Sequence, residues 1–189
     1  KVNTVLDENM VSEHINGVMP KYAGEWIENK IFGIGIYSWL DGRSYVGQWK
    51  ENNMEGLGIY TWSDGRFYQG EYIDDKKHGY GVYSWQDSRQ YSGYWKLGKQ
   101  HGLGVYIVSK DSKPKYGLWE DGKRIDGSPL KASPKSTSLS LITQITTRTQ
   151  KVLKGCLWIA LFRSPIISNK EPSKLVTIFK ISKRNSRPL

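Results

Sequence analysis

Four tyrosines follow one another at a constant interval of 23 residues, and each begins the same pattern. A glycine comes two positions after the tyrosine, an aromatic residue four positions after it, and a Gly-x-Gly pair further along the unit. The tyrosines are Tyr22, Tyr45, Tyr68 and Tyr91. A partial fifth copy reads Gly117-x-Trp119-x-x-Gly122-Lys123. A pattern repeated in this way indicates a repeat protein, in which each unit covers the apolar face of its neighbours.

The unit at residues 45–67 is typical of a β-hairpin. Its aromatic residues and several of its glycines recur with period 2 along two short segments, so they share one face of each predicted strand. The residues on that face are Tyr45, Gly47, Trp49, Gly58, Tyr60 and Trp62. Asn52-Asn53 and Asp64-Gly65 are predicted turns, because these residue types tolerate positive φ. A lone hairpin is marginal, so we expect an all-β fold: one elongated, single-layer antiparallel sheet of stacked β-hairpins.

The repeated residues resemble the MORN (membrane occupation and recognition nexus) repeat family, whose unit is close to Tyr-x-Gly-x-Trp-x-x-Gly-Lys-x-x-Gly-x-Gly. The resemblance covers residues 22–125, and Lys115 stands where the fifth tyrosine belongs. It divides the array into units at 22–44, 45–67, 68–90, 91–115 and 116–125. Residues 1–21 are then an N-terminal extension or cap, and residues 126–189 are a tail.

The charge of the chain separates the repeats from the tail. The formal net charge is +10. Residues 1–127 carry 16 Lys and Arg against 17 Asp and Glu, whereas residues 128–189 carry 12 Lys and Arg against Glu171 alone. Of the 24 aromatic residues, 21 lie between Tyr22 and Trp119, so the basic tail has few rings to stack on bases. This distribution does not favour a nucleic-acid partner.

The tail is rich in Ser, Thr, Lys and Pro, and we expect it to be largely disordered or partly helical. Residues 128–137 are typical of a flexible linker. Residues 143–162 place apolar residues near helical spacing with basic residues among them, which is typical of a basic amphipathic helix that lies on a membrane or binds an acidic partner. The residues predicted to contact lipid are Arg148, Lys151, Lys154, Trp158 and Arg163. The longest apolar run, 155–162, is much shorter than a membrane span.

The sequence predicts no catalytic, cofactor-binding or metal-binding residue, and we expect no enzymatic activity. The Gly-x-Gly pairs precede a β pattern rather than the helix that a phosphate-binding loop needs. His78 and His101 occupy equivalent positions without recurring Cys or carboxylate ligands, so solvated turn histidines are expected there. Cys156 is the only cysteine, which excludes an internal disulfide and fits a reducing compartment. No pattern of a secretory signal is seen, and a cytoplasmic location is expected.

The aromatic stripe gives the functional hypothesis. A single-layer sheet leaves part of that stripe reachable, and an exposed aromatic groove suits a helix or an extended peptide. The predicted partner-binding residues are Tyr37, Trp39, Tyr45, Trp49, Tyr60, Trp62, Tyr68, Tyr83, Trp85, Tyr91 and Trp95. The resemblance implies a scaffold or adaptor at the cytoskeleton, the cilium or the membrane cortex. It also leaves open an alternative: the membrane- or lipid-targeting segment of an enzyme like a phosphatidylinositol phosphate kinase or a SET methyltransferase. Anionic phospholipid is the second predicted partner.

Overall fold

A computed structural model describes residues 21–109, 111–125 and 135–163. Ten strands form one antiparallel sheet whose spatial order is the order of the chain. The strands are β1 (Lys21–Ile27), β2 (Lys30–Ser38), β3 (Ser44–Lys50), β4 (Asn53–Thr61), β5 (Phe67–Ile73), β6 (Lys76–Ser84), β7 (Gln90–Lys96), β8 (Lys99–Ile107), β9 (Lys115–Glu120) and β10 (Lys123–Ile125). The predicted sheet of stacked hairpins is confirmed.

The turn inside each hairpin is built from two residues with positive φ. In the second unit these are Glu51 at 48° and Asn52 at 71°, whereas Asn53 already begins β4. The predicted turn pair Asn52-Asn53 was therefore wrong by one residue. A two-residue turn with this twist needs the left-handed conformation at both of its central positions, and the chain adopts it one residue earlier than the amide pair suggested.

The turns between units use a side chain in place of a second left-handed residue. The turn after β4 lies at the predicted pair Asp64-Gly65, and of the two only Gly65 has positive φ, at 88°. The Asp64 carboxylate instead accepts hydrogen bonds from the backbone N–H of Arg66 at 3.1 Å and from its Nε at 2.7 Å. Ser88 adopts the same conformation as Gly65 in the next unit, at 71°.

The two glycines of each Gly-x-Gly pair have separate structural roles. Gly56 lies at φ 66° where β4 bulges, and the side chain of Gln48 accepts a hydrogen bond from the N–H of Leu57 in that bulge at 2.7 Å. Gly58 faces a glycine of β3, and the ring of Tyr45 lies over both, so a Cβ at Gly58 would overlap that ring. The predicted packing of rings across strand glycines is confirmed. Both glycines lie within β4, so neither begins the helix that a phosphate-binding loop needs.

A helix, α1 (Lys135–Trp158), followed by a π-helical turn (Ile159–Arg163), lies against one face of the sheet. It begins before the predicted helical segment 143–162 and includes the last three residues of the predicted linker, 128–137. Residues 126–134 lie outside the described residues. Residues 1–20, which make up all but the last residue of the predicted N-terminal cap, also lie outside them. No described helix is long and apolar enough to cross a membrane.

Candidate binding surfaces

One face of the sheet, which we call the aromatic face, carries two rows of rings. The inner aromatic row consists of Tyr22, Trp26, Tyr45, Trp49, Tyr68, Tyr72, Tyr91, Trp95 and Trp119. Its rings meet edge to face from one unit to the next: Tyr45 and Tyr72 are 5.4 Å apart at 85°, and Tyr68 and Trp95 are 5.3 Å apart at 85°. Edge-to-face pairs stabilise beyond the area they bury, by about 0.5–1.5 kcal/mol each. The inner aromatic row therefore joins the units into one core.

Five of the predicted partner-binding residues lie in this row and are buried. They are Tyr45, Trp49, Tyr68, Tyr91 and Trp95. Tyr45, Tyr68 and Tyr91 have no exposed surface, and the Trp49 indole donates a hydrogen bond to the Gly35 carbonyl at 3.3 Å. Burial raises the pKa of Tyr68 well above its usual value, because the phenolate cannot be solvated there. These side chains are placed to hold the sheet together.

The outer aromatic row contains the other six predicted residues and, in addition, Tyr106. The six predicted residues are Tyr37, Trp39, Tyr60, Trp62, Tyr83 and Trp85. Successive rings follow one another without a gap, with centroids 4.5 Å apart for Tyr60 and Trp62 and 5.5 Å apart for Trp62 and Tyr83. The tryptophans are only partly buried, and one occurs in each of the first three units. Tyr60 and Tyr83 are buried, so it is the tryptophans of the outer aromatic row, with Tyr37 and Tyr106, that offer surface to a partner.

Each of these tryptophans is covered on one side by an arginine from the turn that follows it. The guanidinium carbons of Arg43, Arg66 and Arg89 lie 5.4–5.6 Å from the centroids of their tryptophans. An aspartate two residues before each arginine binds its Nε at 2.6–2.7 Å. The hydrogen bond to Asp41 is the main cause that raises the pKa of Arg43. Because each arginine is already paired with an aspartate, it contributes packing on its tryptophan rather than an unpaired positive charge.

Lys77 lies between the two rows and is not among the residues predicted from the sequence. Its Nζ is 4.6 Å from the ring centroid of Trp95 and 4.8 Å from that of Tyr83. Burial, and secondarily the charge of Arg66, lower the pKa of Lys77 to about 8. A comparison of the units at the 23-residue interval could have found Lys77, because it is the only charged residue at this position. The equivalent positions hold Ile31, Met54 and Gln100.

The opposite face, which we call the aliphatic face, is covered by α1. Its sheet residues are Ile36, Val46, Leu57, Ile59, Tyr80, Tyr94, Val105, Ile107 and Tyr116, and the helix side contributes Ile145, Val152, Cys156 and Ala160. The Tyr80 hydroxyl lies 3.1 Å from the Ile145 carbonyl oxygen and 2.7 Å from Thr149 Oγ1. Cys156 is a free, fully buried thiol whose pKa is raised to about 12 by burial. The helix is thus a specific second layer.

The solvent-exposed part of α1 carries four of the predicted lipid contacts. Arg148, Lys151 and Lys154 are exposed, and 47% of the Trp158 surface is exposed. Arg163 ends the π-helical turn, and its side chain lies outside the described ones. The helix therefore brings four of the five predicted residues to one exposed region.

A cavity of about 470 Å³ opens where α1 meets the sheet. Glu55, Glu71 and His78 line it from the strands, and Arg148 and Lys151 line it from the helix. Opposite charges thus face each other across the junction of the two layers. No group of three potential metal ligands occurs among the described residues. The cavity is best explained as the polar edge of the helix–sheet contact.

The two repeated histidines differ from their predicted setting. His78 and His101 lie within β6 and β8 and are half-buried, so the prediction of solvated turn residues was wrong. Their Nδ1 atoms are buried without a hydrogen-bond partner among the described residues. The physical reason is that the strand begins before the bulge: His78 pairs with Glu71 within the sheet, and His101 lies two residues after the start of β8.

The hairpin geometry and the two aromatic rows recur with the interval of the sequence pattern, and a comparison with known families gives the same units. The profile of the MORN repeat matches residues 22–42, 45–65, 68–88 and 91–109. These units are MORN repeats. No curated protein matches the chain significantly. Strands β9 and β10 extend the MORN array beyond the matched residues, with Trp119 packed 5.0 Å from Tyr91. MORN repeats indicate a repeat scaffold, and the family is generally non-catalytic.

Proposed function

We propose that this MORN-repeat protein is a non-enzymatic scaffold or adaptor that binds a partner protein through the outer aromatic row. The observation that carries the proposal is the recurrence of a partly exposed tryptophan in three successive units, Trp39, Trp62 and Trp85, within an unbroken row of rings. Rows of accessible aromatic residues are typical of protein-binding surfaces, where rings contribute large apolar area with few rotamers to order.

A helix fits this surface better than an extended peptide. An added strand needs a free sheet edge, whereas the outer aromatic row lies on a face whose backbone groups are already paired between strands. A helix satisfies its own backbone hydrogen bonds. One repeat spans two strands, about 9.6 Å at about 4.8 Å per strand. Seven helical residues rise about 10.5 Å. We therefore expect apolar residues at seven-residue intervals on the partner helix.

Alanine substitution of exposed tryptophans tests the proposal. Partners found by proximity labelling in cells would be purified, and their binding to Trp62→Ala and Trp85→Ala chains measured by calorimetry. We expect each substitution to weaken binding at least about tenfold, because central aromatic residues dominate such interfaces. Leu97→Ala, at an exposed turn residue, is the matched control. Unchanged affinity in both tryptophan variants, with unchanged thermal unfolding, would overturn the proposal. Trp49 is unsuitable because it is buried.

A membrane-facing role for α1 is the second candidate, favoured by its exposed basic residues and Trp158. Each basic side chain near an anionic surface contributes about 1 kcal/mol of binding. Co-sedimentation with vesicles containing phosphatidylserine would compare the full chain with the triple variant Arg148→Gln, Lys151→Gln and Lys154→Gln. Equal sedimentation would reject this role. Substitution is preferable to truncation, since removing α1 would also uncover the aliphatic face.

The cellular setting proposed is the cytoplasmic side of the cytoskeleton, the cilium or the membrane cortex. The alternative implied by the resemblance, a targeting segment of a lipid kinase-like or SET methyltransferase-like enzyme, makes a different prediction. It requires a kinase or methyltransferase coding sequence in frame with this chain. Sequencing the transcript on both sides of the region encoding residues 1–189 distinguishes the two settings.

A further inference from the structure

The ammonium group of Lys77 is held by rings of both aromatic rows. Trp62 and Tyr83 belong to the outer row, and Tyr68 and Trp95 belong to the inner row; all four centroids lie within 4.6–5.7 Å of the Lys77 Nζ. Cation–π contacts of this kind stabilise a cation, but they replace only part of the hydration that burial removes. The aromatic face therefore contains a cation at its middle unit.

The same position is apolar in the two preceding units. Lys77 pairs with Tyr72 across β5 and β6, as Met54 pairs with Trp49 and Ile31 with Trp26. Ile31 and Met54 pack against the aromatic cluster. Gln100 occupies the position in the fourth unit. The aromatic face thus changes along its length, from apolar in units one and two to cationic and then neutral polar in units three and four.

Lys77 forms no ion pair with any carboxylate of the described residues. The ion pairs found there join other residues, and those of the arginines beside the outer aromatic row are all with their own turn aspartates. The charge of Arg66, which has the same sign, adds to burial in lowering the pKa of Lys77. A partly desolvated cation beside a like charge is unfavourable until an anion is placed next to it.

We propose that Lys77 determines the specificity of the aromatic face, and that the bound partner is an amphipathic helix that presents an Asp or Glu carboxylate to the Lys77 ammonium. This inference rests on the proposed function. Apolar residues of the helix lie over units one and two, where Ile31 and Met54 provide no charge. The carboxylate lies over unit three and fixes the register of the helix, because a shift by one repeat would bury it against Met54 unpaired.

The test uses a displayed library of 21-residue helical peptides whose contacting positions vary among Leu, Ile, Phe, Met, Glu, Gln and Lys. Selection against the full chain is expected to enrich one Glu flanked by apolar residues. Selection against the Lys77→Met chain is expected to place an apolar residue at that site. Methionine is the matched substitution, since Met54 fills the equivalent position, and thermal unfolding checks that the variant is folded.

One enriched peptide and its Glu→Gln variant then give the decisive comparison. We expect the Gln form to bind the full chain at least about tenfold more weakly, and both forms to bind the Lys77→Met chain equally. A preference for Glu that survives Lys77→Met, or enriched peptides without an acidic residue, would overturn the carboxylate proposal alone. Failure to enrich any peptide, or binding that Trp62→Ala and Trp85→Ala leave unchanged, would overturn the proposed function and this inference together.

Discussion

The aromatic face and the aliphatic face of the same sheet are stabilised in different ways. On the aromatic face, the first tyrosine of a unit contacts the second inner-row ring of the next unit, so the repeat covers most of its own apolar surface. On the aliphatic face, the residue type varies from unit to unit: Val46, Gln69 and Ser92 occupy one equivalent site. That face is buried by α1, a segment outside the repeat.

The difference shows which parts of the protein tolerate change. A residue of the inner aromatic row has neighbours in two adjacent units, so its substitution affects the whole array. A residue under α1 affects the contact between two layers, and the sheet retains its aromatic core. We therefore expect substitutions on the two faces to differ in how far their effects spread, and the predictions below test that expectation.

The largest effect is expected from Gly81→Ala on the aromatic face. The new Cβ would overlap the ring of Tyr68, which is fully buried and held by Tyr72 and Trp95. We expect a loss of about 3 kcal/mol in the free energy of unfolding, at the upper end of the overpacking range. Urea unfolding followed by tryptophan fluorescence would measure it. Gly65→Ser is the control, since Ser88 holds the equivalent position; an equal loss in both variants would contradict the prediction.

A smaller and more local effect is expected from Ile145→Ala on α1. Ile145 is 6% exposed and packs on the aliphatic face, and removal of such a side chain costs about 2 kcal/mol or more. Hydrogen exchange should become faster in α1, while the amides of β4 to β7 stay protected. The exposed residue Thr147, changed to Ala, is the control. If all the strands lost protection equally, the two faces would not be independent.

Tyr80→Phe tests the polar part of the same contact. It removes the hydroxyl that lies within hydrogen-bonding distance of the Ile145 carbonyl and Thr149 Oγ1, while the ring still fills its place. We expect a loss of about 1.5 kcal/mol. A double-mutant cycle with Thr149→Val, measured by thermal unfolding, should show that the two effects are not additive. Additive losses would mean that the hydroxyl and Thr149 act separately.

The smallest effect is a dependence of stability on pH through Lys77. Its pKa is lowered to about 8 in the folded protein, so between pH 8 and 10 the unfolded chain binds more protons than the folded one. Stability should therefore rise over that interval, by roughly 1 kcal/mol or less after screening by water. Chemical denaturation at several pH values would measure this rise, which Lys77→Met should abolish. A rise of the same size in that variant would exclude Lys77 as its cause.

Above about pH 10, stability should fall in both proteins. The pKa values of buried tyrosines such as Tyr68 and Tyr72 are raised by burial, so these groups ionise first in the unfolded chain. The same denaturation series extended to pH 11 would show a maximum. Continued stabilisation above pH 10 would contradict the burial of the inner aromatic row.

Much of the aromatic face is predictable from the sequence because its signals are local. The strands follow from period-2 alternation, the turns from Asn, Asp and Gly, and the glycine positions from the rings that lie across them. The errors are also local: the turn at Glu51–Asn52 lies one residue from its prediction, and His78 lies in a strand. The sequence pattern alone did not separate the inner row from the outer row, because both consist of Tyr and Trp on one face.

The sequence by itself determined the number of units, the order of their strands, and which residues share the aromatic face. It did so because each 23-residue unit specifies its own hairpin and the contacts between units repeat. Only the tertiary structure decided that α1 covers the aliphatic face and that Lys77 lies between the two aromatic rows. The first depends on contacts such as that of Cys156 Sγ with the Gly58 carbonyl, 98 residues apart in the chain. The second depends on where the rings of Tyr68, Tyr83 and Trp95, from three strands, meet the ring of Trp62, which follows β4. The interval shows that Lys77 departs from the pattern, but the ring contacts come from three successive units and are seen only in the tertiary structure.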